Sequence, residues 1–274
     1  MQPARFEIEP FFLNGEHGAL FCIHHYPAVL PPKGGILYLH PFAEEMHKSR
    51  RMAALQARRF ACAGYAVLQV DLCGCGDSAG DFADASWDAW LIDARLAHAW
   101  LSARNTGPIR LWGLRTGANL AIELANTLSG IEQLLLWQPV VNGEHYLNQF
   151  LRIKMASEML SAGQTQHGIK DLRARLDAGE SLEVGGYRLN ATMARDLSRL
   201  KLGDRHPSCA VAWLELGLED SDLVALASQR IVNDWRKSGC MVRTHTLTGV
   251  PFWLTQDITE TPDLIEATSG CCQP

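Results

Sequence analysis

Short apolar runs alternate with longer amphipathic stretches along most of this chain. The runs near Ile36–Leu39, Tyr65–Val70, Ile109–Trp112, Gln133–Trp137, Ala210–Leu216 and Met241–Leu247 have the continuous hydrophobicity of strands covered on both faces. Between them, apolar residues recur at helical spacing near Lys48–Cys62, Trp87–Ala103 and Thr116–Leu128. Ahead of these, Phe11–Pro27 holds two strand-like runs around Leu13-Asn14-Gly15-Glu16-His17-Gly18, the pattern of an antiparallel hairpin. Strand–helix alternation on this scale predicts an α/β fold, with a mainly parallel central sheet, right-handed crossovers and helices on both faces. One stretch breaks the pattern. Residues 140–207 are long and helix-prone, with a stripe at Tyr146, Leu147, Phe150, Leu151, Ile153, Met155, Met159 and Leu160. They read as a helical cap inserted into a core formed by 1–139 and 208–265, with 266–274 as a loose tail.

Composition narrows the field. A chain of 274 residues that is 47% hydrophobic can bury a sizeable core, and no apolar run is long enough to span a bilayer. The net charge of −5 gives no electrostatic footprint for nucleic acid. The basic residues Lys48, Arg50, Arg51, Arg58 and Arg59 fall on the solvated side of a helix whose apolar side carries Met52, Leu55 and Phe60. Met1-Gln2-Pro3-Ala4-Arg5 lacks the apolar core of a signal peptide, so a cytoplasmic location and mostly reduced cysteines are expected. No metal or cofactor is expected: Cys73-x-Cys75 and Cys271-Cys272 lack zinc-site spacing, and no H-E-x-x-H occurs.

The chemistry centres on Gly113-Leu114-Arg115-Thr116-Gly117, between an apolar strand and an amphipathic helix. This is the frame of a nucleophile elbow, G-x-S-x-G, in which only small residues fit two positions either side of a strained tip. Moving the tip to Thr116 would put Leu114 where a small residue is needed, so the glycines set Arg115 at the nucleophile position. A guanidinium stays protonated and has no lone pair with which to attack a carbonyl. Upstream, Asp71-Leu72-Cys73-Gly74-Cys75-Gly76-Asp77-Ser78 matches the D-x-x-G-x-G-x-S loop of α/β-hydrolases. His40-Pro41 ends a buried strand where that superfamily supplies an oxyanion-hole amide, near Phe42.

The runs His40-Pro41-Phe42-Ala43-Glu44-Glu45-Met46 and Lys48-Ser49-Arg50-Arg51, the segment Trp112-Gly113-Leu114-Arg115-x-Gly117-Ala118, and Gly249-x-Pro251-Phe252-Trp253 resemble the exosortase A system-associated hydrolase 2 family over about residues 6–260. The resemblance implies an α/β-hydrolase fold and a role beside exopolysaccharide and PEP-CTERM sorting genes in Gram-negative bacteria, and it specifies no substrate.

The remaining triad positions are mixed. Asp220, beyond the strand Ala210–Leu216, matches the acid position and serves equally well as a helix cap, as does Asp222. The loop after the last strand carries Pro251 where the base would stand; His245 lies several residues too early and reads as a strand histidine. His40 sits on the oxyanion side. Without nucleophile and base, ordinary serine acyl transfer is not available. Arg115 and the N-terminus of the following helix, with the Thr116 amide, instead form an anion site. It is filled either by an external carboxylate or phosphate or by Glu44 or Glu45, and the internal pairing is favoured because a buried guanidinium needs a partner at all times. Cys73 and Cys75 keep a thiol-based enzyme open, most simply Cys75 with a pKa depressed by Arg115. The expected function is a pseudoenzyme that binds a small acyl, carbohydrate or anionic ligand, or a protein partner; the resemblance implies that it is an accessory of surface export. The alternative is an ester or thioester hydrolase or acyltransferase with unorthodox groups.

Overall fold

The computed structural model describes residues 5–162, 167–217 and 225–272. The strands β1 (Phe6–Gly15) and β2 (Gly18–Pro27) form an antiparallel hairpin, and β2 pairs antiparallel with β4 (Ala66–Val70). From there the sheet is parallel through β3 (Gly35–Leu39), β5 (Ile109–Leu114), β6 (Ile131–Trp137), β9 (Ala210–Gly217) and β10 (Val242–Thr248), in the spatial order β1-β2-β4-β3-β5-β6-β9-β10. Side chains alternate across this sheet into two apolar layers. Leu37, Leu39 and Leu111 face one layer, with α2 (Trp87–Ser102) and α3 (Thr116–Thr127); Ile36, Tyr38 and Trp112 face the other, with α1 (Glu44–Cys62) and α8 (Pro262–Gly270). The helix α7 (Leu226–Lys237) leads into β10.

Between β6 and β9 lie α4 (Gly143–Ala162), α5 (Ile169–Asp177), a two-stranded hairpin of β7 (Leu182–Val184) and β8 (Tyr187–Leu189), and α6 (Ala191–Arg199). The hairpin escapes a helix-only reading because its strands are only three residues each. Of the stripe on α4, Tyr146, Leu147, Phe150 and Leu151 are buried, whereas Met159 and Leu160 are exposed. The apolar face thus packs inward over its first half.

Two expectations need correction. Residues 266–272 are not a loose tail: α8 runs to Gly270, Leu264 and Thr268 are buried, and Cys271 and Cys272 sit in the second apolar layer. The Tyr65 hydroxyl donates to the Cys272 carbonyl at 2.6 Å, and Trp137 Nε1 donates to Thr268 Oγ1 at 2.8 Å. A short stripe ending in two cysteines gave little pattern to read. Arg50 is also not simply solvated, because its Nη2 reaches Asp71 Oδ2 at 2.7 Å.

The hairpin buries a histidine. His24 stacks on Tyr26 with ring centroids 4.9 Å apart and meets the edge of Trp100 at 5.1 Å. Burial first, then His25 and Arg104, hold its pKa down at about 4, against an ordinary 6.5. Below pH 6.5 the unfolded chain takes up a proton that the folded one refuses until about pH 4, so stability falls as pH drops through that window. The upper bound on this loss is about 3 kcal/mol. Chemical denaturation at several pH values should show a His24→Gln variant losing less stability than the parent between pH 6.5 and 4.

Candidate functional site at the elbow

The site forms where three adjacent parallel strands end. Just beyond β3, β5 and β6 stand Ala43 (φ 51°), Arg115 (φ 55°) and Gln138 (φ 43°), the three non-glycine residues with positive φ among those described. Such conformations cost of order 1–3 kcal/mol each and persist only where the surroundings enforce them. At Arg115 the cause is visible. Its backbone N–H donates to the Trp137 carbonyl at 2.9 Å while α3 begins at the next residue, so the chain reverses within one residue. The flanking glycines allow this: a Cβ on Gly113 would lie 2.3 Å from the Gly117 oxygen, and one on Gly117 would lie 2.1 Å from the Leu39 oxygen. Arg115 therefore occupies the tip of a tight strand–turn–helix.

Its guanidinium is held from four sides. Nε donates to Glu45 Oε1 at 3.4 Å and Nη1 to the Gln138 carbonyl at 3.3 Å. The rings of Tyr146 and Trp253 flank the guanidinium carbon at 5.4 and 5.6 Å, within cation–π range. The Tyr146 hydroxyl donates to the other Glu45 oxygen at 3.0 Å, so this carboxylate bridges a cation and a phenol. Glu45 is buried, and desolvation pushes its carboxyl up against the opposing pull of Arg115 and Tyr146. Tyr146, buried beside that carboxylate, is pushed well above the usual phenol range. An open cleft of about 490 Å³ adjoins the clamp, lined by Arg115 and by Gln138, Asn142, His145, Gln149 and Glu215 among others. Nε and Nη1 each have a partner, and the guanidinium retains further N–H donors at the cleft edge.

The other expected site residues separate. Glu44 stands next to Glu45 without reaching Arg115; its Oε2 is buried without a hydrogen-bond partner, and desolvation raises its pKa. His40 is not available for a ligand or a proton: Nδ1 donates to the Pro41 carbonyl at 2.7 Å, Nε2 accepts from the Leu72 N–H at 3.2 Å, and burial lowers its pKa. Phe42 is wholly buried, packed against Phe82, Trp90, Tyr146 and Phe150, so it belongs to the core under the site. Thr116 is buried as well, its hydroxyl lacking a partner. Burial, then Asp71, pushes the Cys75 thiol pKa well up, and the guanidinium that opposes this is Arg50 rather than Arg115. Asp220 lies outside the described residues. Pro251 does stand in the loop after β10, and Trp253 of that loop supplies a ring to the Arg115 clamp where a catalytic base would be sought. His245 lies in β10 with Nε2 3.4 Å from Cys271 Sγ, on the α8 side.

Tyr146, Gln138 and Trp253 were not legible as site residues. Tyr146 is one aromatic in an apolar stripe, and only its hydroxyl sets it apart.

An eight-stranded sheet in this order, with a strained elbow at the end of its fifth strand and an insertion after its sixth, defines the α/β-hydrolase fold. Solved structures with the same fold span nearly the whole chain. Est1E from Butyrivibrio proteoclasticus, with ferulic acid bound, superposes with a TM-score of 0.66 at 15% identity over 95% of this chain and 97% of that one. A carboxyl esterase from Bacillus coagulans gives 0.60 at 15% over 89% and 90%, and mouse alpha/beta hydrolase domain-containing protein 10 gives 0.58 at 15% over 96% of each chain. No family model and no curated protein matches the sequence. Among the described residues no helix is long and apolar enough to cross a membrane.

Proposed function

We propose that this chain is an α/β-hydrolase-fold protein of the exosortase-associated type that binds a small anionic or carbohydrate ligand in the elbow cleft and does not hydrolyse it. It acts in the cytoplasm as an accessory of exopolysaccharide or PEP-CTERM surface export. The single observation that supports this is the Arg115 clamp: the nucleophile position carries a cation already bound to Glu45, the Gln138 carbonyl and two aromatic rings. The cleft carries Gln138, Asn142, His145 and Gln149 beside apolar Val140, Val141 and Ala227, so groups able to hold hydroxyls or a carboxylate stand near Arg115. The export role rests on the family resemblance. A thiol hydrolase finds no support in the burial and raised pKa of Cys73 and Cys75.

Thermal unfolding with glucuronate and with glucose as probes tests the reading. Glucuronate is expected to raise the melting temperature in a concentration-dependent way, with glucose weaker, and Arg115→Met is expected to abolish the difference. Equal shifts with both sugars, or none with either, would remove the anionic half of the proposal.

A further inference from the structure

Outside the elbow, three segments distant in sequence bring together a cluster with metal-ligand chemistry. His17 stands exposed on the turn between β1 and β2, Cys73 lies in the Gly-rich loop after β4, and Asp93 is buried on α2. One ligand atom from each, an imidazole nitrogen, the thiol sulfur and a carboxylate oxygen, lies within 4.8 Å of the other two. We propose that His17, Cys73 and Asp93 bind one divalent transition-metal ion of the zinc type, with a fourth position open to solvent.

Asp93 itself points to a cation. It is fully buried, its Oδ2 accepts the Cys73 backbone N–H at 2.8 Å, the Cys73 thiol also donates to this carboxylate, and its Oδ1 is buried outside hydrogen-bonding geometry. A buried carboxylate oxygen left unpaired is costly, and a cation beside it removes that cost. The backbone hydrogen bond to the other oxygen is the kind of support that orients a ligating carboxylate. Nitrogen, sulfur and oxygen ligands together are a borderline-soft set suited to Zn²⁺ rather than to Mg²⁺ or Ca²⁺. Tetrahedral bonds of ordinary length would put these atoms about 3.3–3.8 Å apart, so from separations of at most 4.8 Å they close by at most about 1.5 Å. His17 is exposed, and its side chain is free to turn toward the other two. Because His17 is at the surface, three protein ligands leave room for a water.

The ion would tie the hairpin turn to the loop and helix that support the oxyanion side. Trp90 Nε1 donates to the Cys73 carbonyl at 3.0 Å, and the Trp90 ring packs against His40 and Phe42. Sequence spacing alone could not reveal such a site, since its ligands come singly from three elements and no two share a motif.

Titrating the metal-free protein with Co²⁺ and Zn²⁺ tests the proposal. One equivalent of Co²⁺ should give a thiolate-to-metal absorption band, and Zn²⁺ should displace it and raise the melting temperature. Cys73→Ser should lose the band, and His17→Ala, at an exposed position, should lose the Zn²⁺-dependent rise while keeping the metal-free melting temperature. Absence of the band, or a band and stabilisation that survive both substitutions, would overturn the site; the latter would mean that other histidines and cysteines take up the ion.

Discussion

Replacing Glu45 by Gln is expected to destabilise the protein by about 2–4 kcal/mol, because the Arg115 cation then stays partly buried without its counter-charge. The loss falls below the full cost of breaking a buried pair, since Arg115 borders an open cleft and the contact is 3.4 Å. Arg115→Met alone leaves the opposite problem. Glu45 is buried with a pKa already raised by desolvation, and Arg115 is its largest opposing influence. A folded-state pKa above the unfolded value gives stability that is present at low pH and lost as pH rises through it. The Arg115→Met variant should therefore be closer to the parent near pH 5 than near pH 8. Combining the two substitutions removes both charges and should recover most of the loss, so a double-mutant cycle measured by chemical denaturation will show strong coupling. Additive effects would mean that the two side chains do not act as a pair.

Truncating Phe42 to Ala should cost about 3–5 kcal/mol, the range for emptying a buried aromatic site. Phe42 has no exposed surface and meets four aromatic rings at centroid distances of 5.1–6.4 Å. Two of those rings, Tyr146 and Phe150, belong to α4, and the other two to the segment that follows β4, so the cavity would open between the insertion and the core. Tyr146 also fixes Glu45, which makes the loss reach the elbow. Denaturation should give the stability change, and loss of glucuronate-dependent stabilisation should accompany it. A cost under about 1 kcal/mol would mean that the insertion collapses freely onto the vacated space.

The sheet was readable because its parallel strands are buried on both sides and announce themselves as apolar runs. The elbow was readable for a different reason. Backbone approach at Gly113 and Gly117 excludes any side chain, so the residue between them must be the tip whatever its chemistry. What escaped was determined by partners rather than by pattern. Nothing in the order of residues separates Glu45 from Glu44; the helical turn that begins at Glu44 sends one carboxylate inward to Arg115 and Tyr146 and leaves the other beside it. His40 and Cys75 looked chemically promising in isolation; burial with backbone partners disarms the first, and burial beside Asp71 raises the thiol pKa of the second. The end of the chain from residue 266, read as a tail, is held by the Tyr65 and Trp137 hydrogen bonds, whose partners lie 207 and 131 residues apart in sequence.

The central claim is that the elbow holds a clamped cation and no nucleophile. Intact-mass analysis after incubation with a fluorophosphonate, which forms a covalent adduct with activated serine nucleophiles, tests it most directly. The account predicts an unmodified mass; a stoichiometric adduct on any residue bordering the Arg115 cleft would contradict it.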